Sequence, residues 1–252
     1  ILGAGAAGLV AAFRAAERGR KVVLLEKNRR PGVKILMSGG TRCNLTNARG
    51  LRSLRVVSGP VDPAYDPRQA RGARSIQQAF GPAGGVFLGP ALKALPVEDT
   101  VRLFESEGLP TKVEANGKIF PNSDRATDVL AALMRRVERS GTELRTRCPA
   151  LGIEPSDEGF TIAIPDGTLH ARRVIVAVGG QSYPGCGTTG DGYAIARRFG
   201  HTIVEPRPAL VPIRVAADWV AELSGLSLPD AVASVLDPTG ARLLERREAV
   251  LF

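Results

Sequence analysis

Apolar and small residues fill most positions from Ile1 to Ala16, and Gly19 closes the run, which predicts a helix over 6–19. Val22-Val23-Leu24-Leu25 is a short continuous apolar run ended by Glu26, the pattern of a strand covered on both faces. Residues 29–60 read as loop, punctuated by Pro31-Gly32 and Ser38-Gly39-Gly40. Residues 61–96 are rich in Pro, Gly and Arg with weak periodicity, and only 74–80 predict a helix there. Helical spacing returns from Val97 to Glu107, with Val101, Leu103 and Phe104 inward and Gly108 as the stop.

Lys112 to Phe120 predicts a hairpin about Asn116-Gly117. Ser123 or Asp124 is placed to cap the next helix, whose apolar stripe is Val129, Leu130, Leu133, Met134 and Val137. Three β segments follow at 143–147, 160–164 and 169–178. The last ends in Val174-Ile175-Val176-Ala177-Val178, which predicts another buried strand. A short helix at 191–199 stops at Gly200. Beyond Pro208 the pattern turns β-rich, at 210–215, 231–236 and 243–244. A domain boundary is therefore expected near Arg207, dividing the chain into 1–207 and 208–252.

The 252 residues are 44% hydrophobic and 23% charged, which excludes disordered, collagen-like and coiled-coil chains. The formal net charge is +9, but no block of like charges marks a tail, and most arginines fall on solvated helix faces. Aromatics at 5% argue against a base-stacking surface, so nucleic acid is not expected as a partner. Cys43, Cys148 and Cys186 are widely spaced and the two histidines are isolated, so no metal site is expected and a reducing cytoplasm fits. The longest apolar stretch, 1–13, is too short to span a bilayer. Only two residues precede the first glycine loop, and 248–252 breaks off inside a strand-like run, so the sequence reads as a piece of a longer chain.

Gly3-Ala4-Gly5-Ala6-Ala7-Gly8 follows a strand position and opens a helix, and Glu26 ends the next strand. This is the arrangement that binds a dinucleotide. Gly3 permits the turn, Gly5 lets backbone approach a pyrophosphate, and Gly8 lets helix and strand pack closely. The first-turn N–H groups around Ala6 and Ala7 face the phosphates. A carboxylate at Glu26 suits a ribose 2′-OH and disfavours a 2′-phosphate, so NADP is not expected in this site. FAD and NAD stay open on these residues alone.

The loop Lys34-Ile35-Leu36-Met37-Ser38-Gly39-Gly40-Thr41-Arg42-Cys43-Asn44-Leu45-Thr46-Asn47 carries more information. Its glycines admit a flat or phosphorylated ligand, Arg42 offers charge to a phosphate or developing anion, and Asn44 offers a donor and an acceptor. The run resembles the BaiN/YhiN-like flavoproteins, the aminoacetone oxidase family of FAD-binding enzymes, with Thr41 where that family has a third Gly. Thr111-Lys112-Val113-Glu114, Gly117 to Pro121, Gly179 to Pro184, Gly187 to Tyr193 and Pro208 to Pro212 resemble further family segments.

The resemblance implies an α/β fold: a Rossmann-like FAD-binding domain with a parallel sheet and a small β-meander, then the start of a β-rich second domain. It implies FAD contacts from the glycine loop, Glu26, Lys27, Lys34, Ser38, Gly39, Gly40, Arg42, Cys43 and Asn44. Others are implied at Ala150 and at Ala177, Gly179 and Gly180, which stand in an Ala-Thr-Gly-like motif with Val178 for Thr. Arg42 and Asn44 are the candidates beside the reacting ring, while Cys43 reads as a packing thiol. The implied function is an FAD-dependent oxidoreductase passing hydride through flavin N5 to or from a small organic substrate, with NAD(P)H as a reductant. An RNA-linked flavoprotein and a non-catalytic nucleotide-binding remnant stay as alternatives.

Overall fold

In the computed structural model, which describes residues 1–208 and 214–251, the chain separates into two compact units, Ile1–Val204 and Glu205–Phe252. Helix α1 (Ala6–Ala16) starts directly from the glycine loop and turns Gly8, Leu9, Ala12 and Phe13 inward. Strand β1 (Val23–Leu25) follows. Helix α2 (Val33–Met37) forms inside the stretch expected to be loop; it is one short turn capped by Gly32, too brief to show a period. A two-residue β2 (Thr46–Asn47) leads into 3₁₀ turns at Ala48–Gly50, Leu54–Val56 and Pro67–Gln69.

The Pro- and Gly-rich segment is far more helical than its pattern suggests. It forms α3 (Ala73–Ala79) and α4 (Gly81–Ala94), followed by α5 (Val97–Glu105). Pro82 lies in the first turn of α4, where its missing N–H removes no helical bond, while Pro90 sits inside the helix. The Gly residues that hide the periodicity also admit close packing, as at Gly85, buried against Gln77. The predicted hairpin is β3 (Thr111–Val113) and β4 (Lys118–Pro121), with Val113 opposite Ile119, and β2 completes a three-stranded antiparallel sheet on the other edge of β4.

Helix α6 (Ala126–Arg139) packs its stripe of Val129, Leu133 and Val137 into one core with Leu9, Phe13 and Leu24. Neither Ser123 nor Asp124 caps it. Arg125 holds that position without a side-chain capping bond, its guanidinium pairing with Asp128 instead, Ser123 hydrogen-bonds the Asp128 carboxylate, and Asp124 turns away at φ 54° to meet two cations. Strand β5 (Glu143–Arg145) runs parallel to β1. The meander is β6 (Gly152–Ser156), β7 (Gly159–Ile164) and β8 (Gly167–Ala171), each antiparallel to the next. The first of its strands escaped the pattern because Pro155 lies within it.

The parallel sheet continues beyond β1. Leu2 bridges Leu25 on one side and Val176 on the other, giving the order β5, β1, Leu2, Val176. The segment 174–178 is not the buried strand its composition predicts. It makes one bridge, and Ile175 and Val176 are 44% and 42% exposed, because Leu2 is its sole β partner among the described residues. Helix α7 (Asp191–Arg198) closes the first unit. The second unit contains α8 (Trp219–Glu222) and a long antiparallel pair, β9 (Ser227–Leu236) and β10 (Arg242–Leu251), turned at Asp237–Gly240. The strand predicted at 210–215 lies mostly outside the described residues.

Candidate functional site

The glycine loop is built by close contact. A β-carbon on Gly3 would meet the Ala177 carbonyl oxygen at 2.6 Å, at a φ of +90°. A β-carbon on Gly5 would meet nothing within 4 Å. Gly5 is the N-cap of α1, and no side chain satisfies that helix end. The result is a helix N-terminus with open space before it, framed on one side by Ala177 and Val178. Free N–H groups and the helix dipole there suit an anionic group.

Glu26 is 6% exposed at the end of β1. Its Oε2 accepts from the Ala4 N–H at 2.8 Å and its Oε1 from the Asn28 N–H at 2.8 Å. The carboxylate thus fixes the glycine loop and the following turn together. Each oxygen keeps a second lone pair for a ligand hydroxyl. Gly32 adds to the same fixation by donating to the Ala4 carbonyl at 2.8 Å.

Two lysines tie this edge to the 180–191 loop. Lys27 Nζ donates to Asp191 at 2.6 Å and to Thr189 Oγ1 at 3.1 Å, and its bond to Asp191 holds that carboxyl below the usual range. Lys34 Nζ donates to the Ser182 carbonyl at 2.6 Å. Gly179 and Gly180 lie against Thr188 and Tyr193, and Ala150 packs in the core beneath the meander.

The 38–44 loop is left-handed to an unusual degree. Gly39, Gly40, Thr41 and Cys43 have φ of 57°, 64°, 67° and 63°. A β-branched residue at positive φ is a true outlier, which explains why Gly suits position 41. Ser38 Oγ donates to the Ile35 carbonyl at 3.0 Å, and the Ser38 carbonyl accepts from Cys43 N–H at 2.9 Å. Cys43 is buried, and burial pushes its thiol pKa up, so it rests as a packed thiol. Asn44, with its amide nitrogen turned toward two carbonyls, donates to Thr46 at 2.8 Å and Ile119 at 3.3 Å.

Arg42 departs from its expected role. Its guanidinium pairs with Glu114, reaches Asp124 Oδ1 at 3.3 Å, and lies 4.1 Å from the centre of the Phe120 ring. Lys112 pairs with the other oxygen of Asp124. The Arg42 charge is taken up by two carboxylates, and the hydrogen bond it donates to Glu114 holds its proton more firmly than usual. Arg42 therefore positions the loop against the hairpin rather than offering a spare cation. The partners Glu114, Phe120 and Asp124 lie on the hairpin and just beyond it, and no local spacing relates them to Arg42.

Among the described residues no group of His, Cys, Asp and Glu could hold a metal ion, and no helix is long and apolar enough to cross a membrane. The chain is 30% identical to the ribosomal RNA dihydrouridine synthase of Escherichia coli, over 93% of this chain and 53% of that protein. It is 33% identical to the 3-dehydro-bile acid delta(4,6)-reductase of Clostridium scindens, over 94% of this chain and 52% of that protein. It spans about half the length of these curated relatives. A solved 3-ketosteroid-delta4-(5alpha)-dehydrogenase from Rhodococcus jostii superposes with a TM-score of 0.47 at 14% identity, over 72% of this chain and 45% of that one. The HI0933-like protein Rossmann domain matches residues 1–58 and 73–238, which takes in the glycine loop, Glu26 and the left-handed loop, and the chain belongs to that family.

Proposed function

We propose that this chain supplies the FAD-binding portion of a flavin-dependent reductase acting on a carbon–carbon double bond conjugated to a carbonyl. The observation that carries the reading is the open N-terminus of α1 above Gly5, with Glu26 fixed beside it. The residues fit FAD. The N–H groups following Gly5 would take the pyrophosphate, and Glu26 would accept from the adenosine ribose hydroxyls. Gly39, Gly40 and Asn44 would border the flavin ring, with Arg42 holding their loop. When bound, FAD supplies two-electron hydride chemistry.

Both relatives' names denote saturation of such a double bond, in uridine for one and in a 3-oxo-diene steroid for the other. A hydride acceptor of that type is the shared chemistry, with NAD(P)H as the electron source. From Glu205 onward we read a separate, substrate-facing unit. A cytoplasmic setting is consistent with three free, buried cysteines.

An RNA substrate is the second reading. The net charge of +9 favours it, and the argument against nucleic acid weakens because one relative is named for ribosomal RNA. The test is titration of FAD into the protein as encoded, followed by visible absorbance. A bound flavin lost in Gly5→Leu with the circular dichroism unchanged supports the reading; no binding by the unaltered protein overturns it. Reoxidation of the reduced flavin by a 4-en-3-oxo steroid or by uridine-containing RNA then separates the two substrates.

A further inference from the structure

Residues 48–74 hold six arginines against two aspartates, and the arginines come in two runs with the same spacing. Arg49, Arg52 and Arg55 form one, and Arg68, Arg71 and Arg74 the other. The fold lays the runs side by side. Arg71 N–H donates to the Arg49 carbonyl at 3.0 Å, Gly72 N–H to Leu51 at 3.0 Å, and Ser75 Oγ to Arg49 at 2.7 Å. All six side chains are exposed.

Arg68 is paired with Asp66, and Arg49 Nε donates to Gln69. The guanidinium groups of Arg52, Arg55 and Arg74 have no ion-pair or hydrogen-bond partner among the described residues. Arg52 and Arg55 border a surface recess with Ser53, Glu98, Asp99 and Arg102, where Asp99 is occupied by Arg102 at 2.8 Å. The arginine surface runs on through α3, whose Ile76 packs on Gly50, to two exposed rings: Phe80 is 63% exposed and Phe87 on α4 is 82%.

We propose that this surface is a docking site for single-stranded RNA, with the arginines on successive phosphates and Phe80 and Phe87 as base-stacking platforms. Two observations favour it. Unpaired cations with exposed aromatic rings on the adjoining α3–α4 segment make a combination that can hold a single strand. The six arginines also lie apart from the glycine loop and Glu26, and Arg68 and Arg71 fall in residues 59–72, outside the family match. A membrane surface fits less well, because five of the six cations sit on 3₁₀ turns and irregular backbone and only Arg74 lies on a helix, the seven-residue α3, so no long amphipathic helix presents them. The proposal does not depend on flavin binding.

The test is fluorescence anisotropy of a labelled 16-nucleotide uridine-rich RNA with the protein as encoded, across a salt series. Each phosphate contact on a single strand contributes about 0.7 to the slope of log K against log salt. The triple variant Arg52→Gln/Arg55→Gln/Arg74→Gln is expected to lower that slope by about 2. The control triple Arg18→Gln/Arg20→Gln/Arg173→Gln should leave it nearly unchanged, and both triples must melt as the parent does. Phe80→Ser/Phe87→Ser should weaken single-stranded RNA about tenfold or more, by loss of stacking, while sparing a duplex of equal length. Equal losses in both triples, or a first triple that loses anionic-vesicle binding but keeps RNA, would overturn the proposal.

Discussion

A β-carbon built on Gly8 would stand 1.7 Å from the carbonyl oxygen of Gly3, closer than any nonbonded contact allows. Gly5, three residues earlier, faces open space. The two glycines therefore serve different ends. Gly8→Ala is expected to destabilise the fold by about 3 kcal/mol, since backbone must move to admit the methyl. Gly5→Ala should leave stability nearly unchanged. Urea unfolding of the two variants checks the contrast.

Glu26→Ala removes the acceptor of two backbone N–H groups, those of Ala4 and Asn28. Leaving a buried donor unsatisfied costs about 1–3 kcal/mol. A fall in melting temperature without any ligand present is the expected outcome. A variant that melts like the parent and merely binds FAD more weakly would assign Glu26 to the ligand alone.

Thr41 stands at φ 67° on exposed backbone, where Gly carries no steric penalty. Relief of about 1–3 kcal/mol of strain outweighs the 0.4–1 kcal/mol that Gly adds to unfolded-chain entropy. Thr41→Gly is expected to stabilise the protein by about 1 kcal/mol in a denaturant titration. The backbone bond from Ala126 N–H to the Thr41 carbonyl is unaffected by the change.

Acid should loosen the Arg42 cluster. Asp124 is held below the usual carboxylate range, first by its hydrogen bond from Lys112 and further by Arg42. A depressed folded pKa contributes stability above the unfolded value, about 3.9, which is lost as pH falls through the folded value. Unfolding free energies measured from pH 7 to pH 2 should fall less steeply below pH 4 in Asp124→Asn than in the parent. Parallel profiles would remove Asp124 from the acid response.

Cys43 should resist alkylation. Burial raises its pKa and its Sγ faces the Ser38 loop, so little thiolate is present at pH 8. Iodoacetamide should label it at the rate of global unfolding, read by mass spectrometry of the tryptic peptide. Fast labelling of the native protein would mean that the 38–44 loop opens on its own.

Local chemistry made much of this legible. The glycine spacing with Glu26 eighteen residues on, the Asn116-Gly117 hairpin and the stripe of α6 each declare themselves within a short window. What escaped depends on partners far away in sequence. Nothing near Arg42 announces that residues 114 and 124 will take its charge, and nothing near Val174 shows that one face will stay open. α4 was masked by Gly and Pro, whose low helix propensity is overridden by packing on α3. The two arginine runs were visible as a repeated spacing, but their alignment rests on backbone bonds between residues 49–51 and 71–72.

The bridge from Leu2 to Val176 sets a timetable for synthesis. Its two ends are separated by about 170 residues, which the ribosome adds in about 9–35 s at 5–20 residues per second. Through that interval Leu2 can pair with β1 but not with its outer neighbour, so the glycine turn that Ala177 buttresses stays half-supported. Closure of the glycine turn is thus a late event on the nascent chain, because residues 174–178 are added after those of α1, α6 and β5.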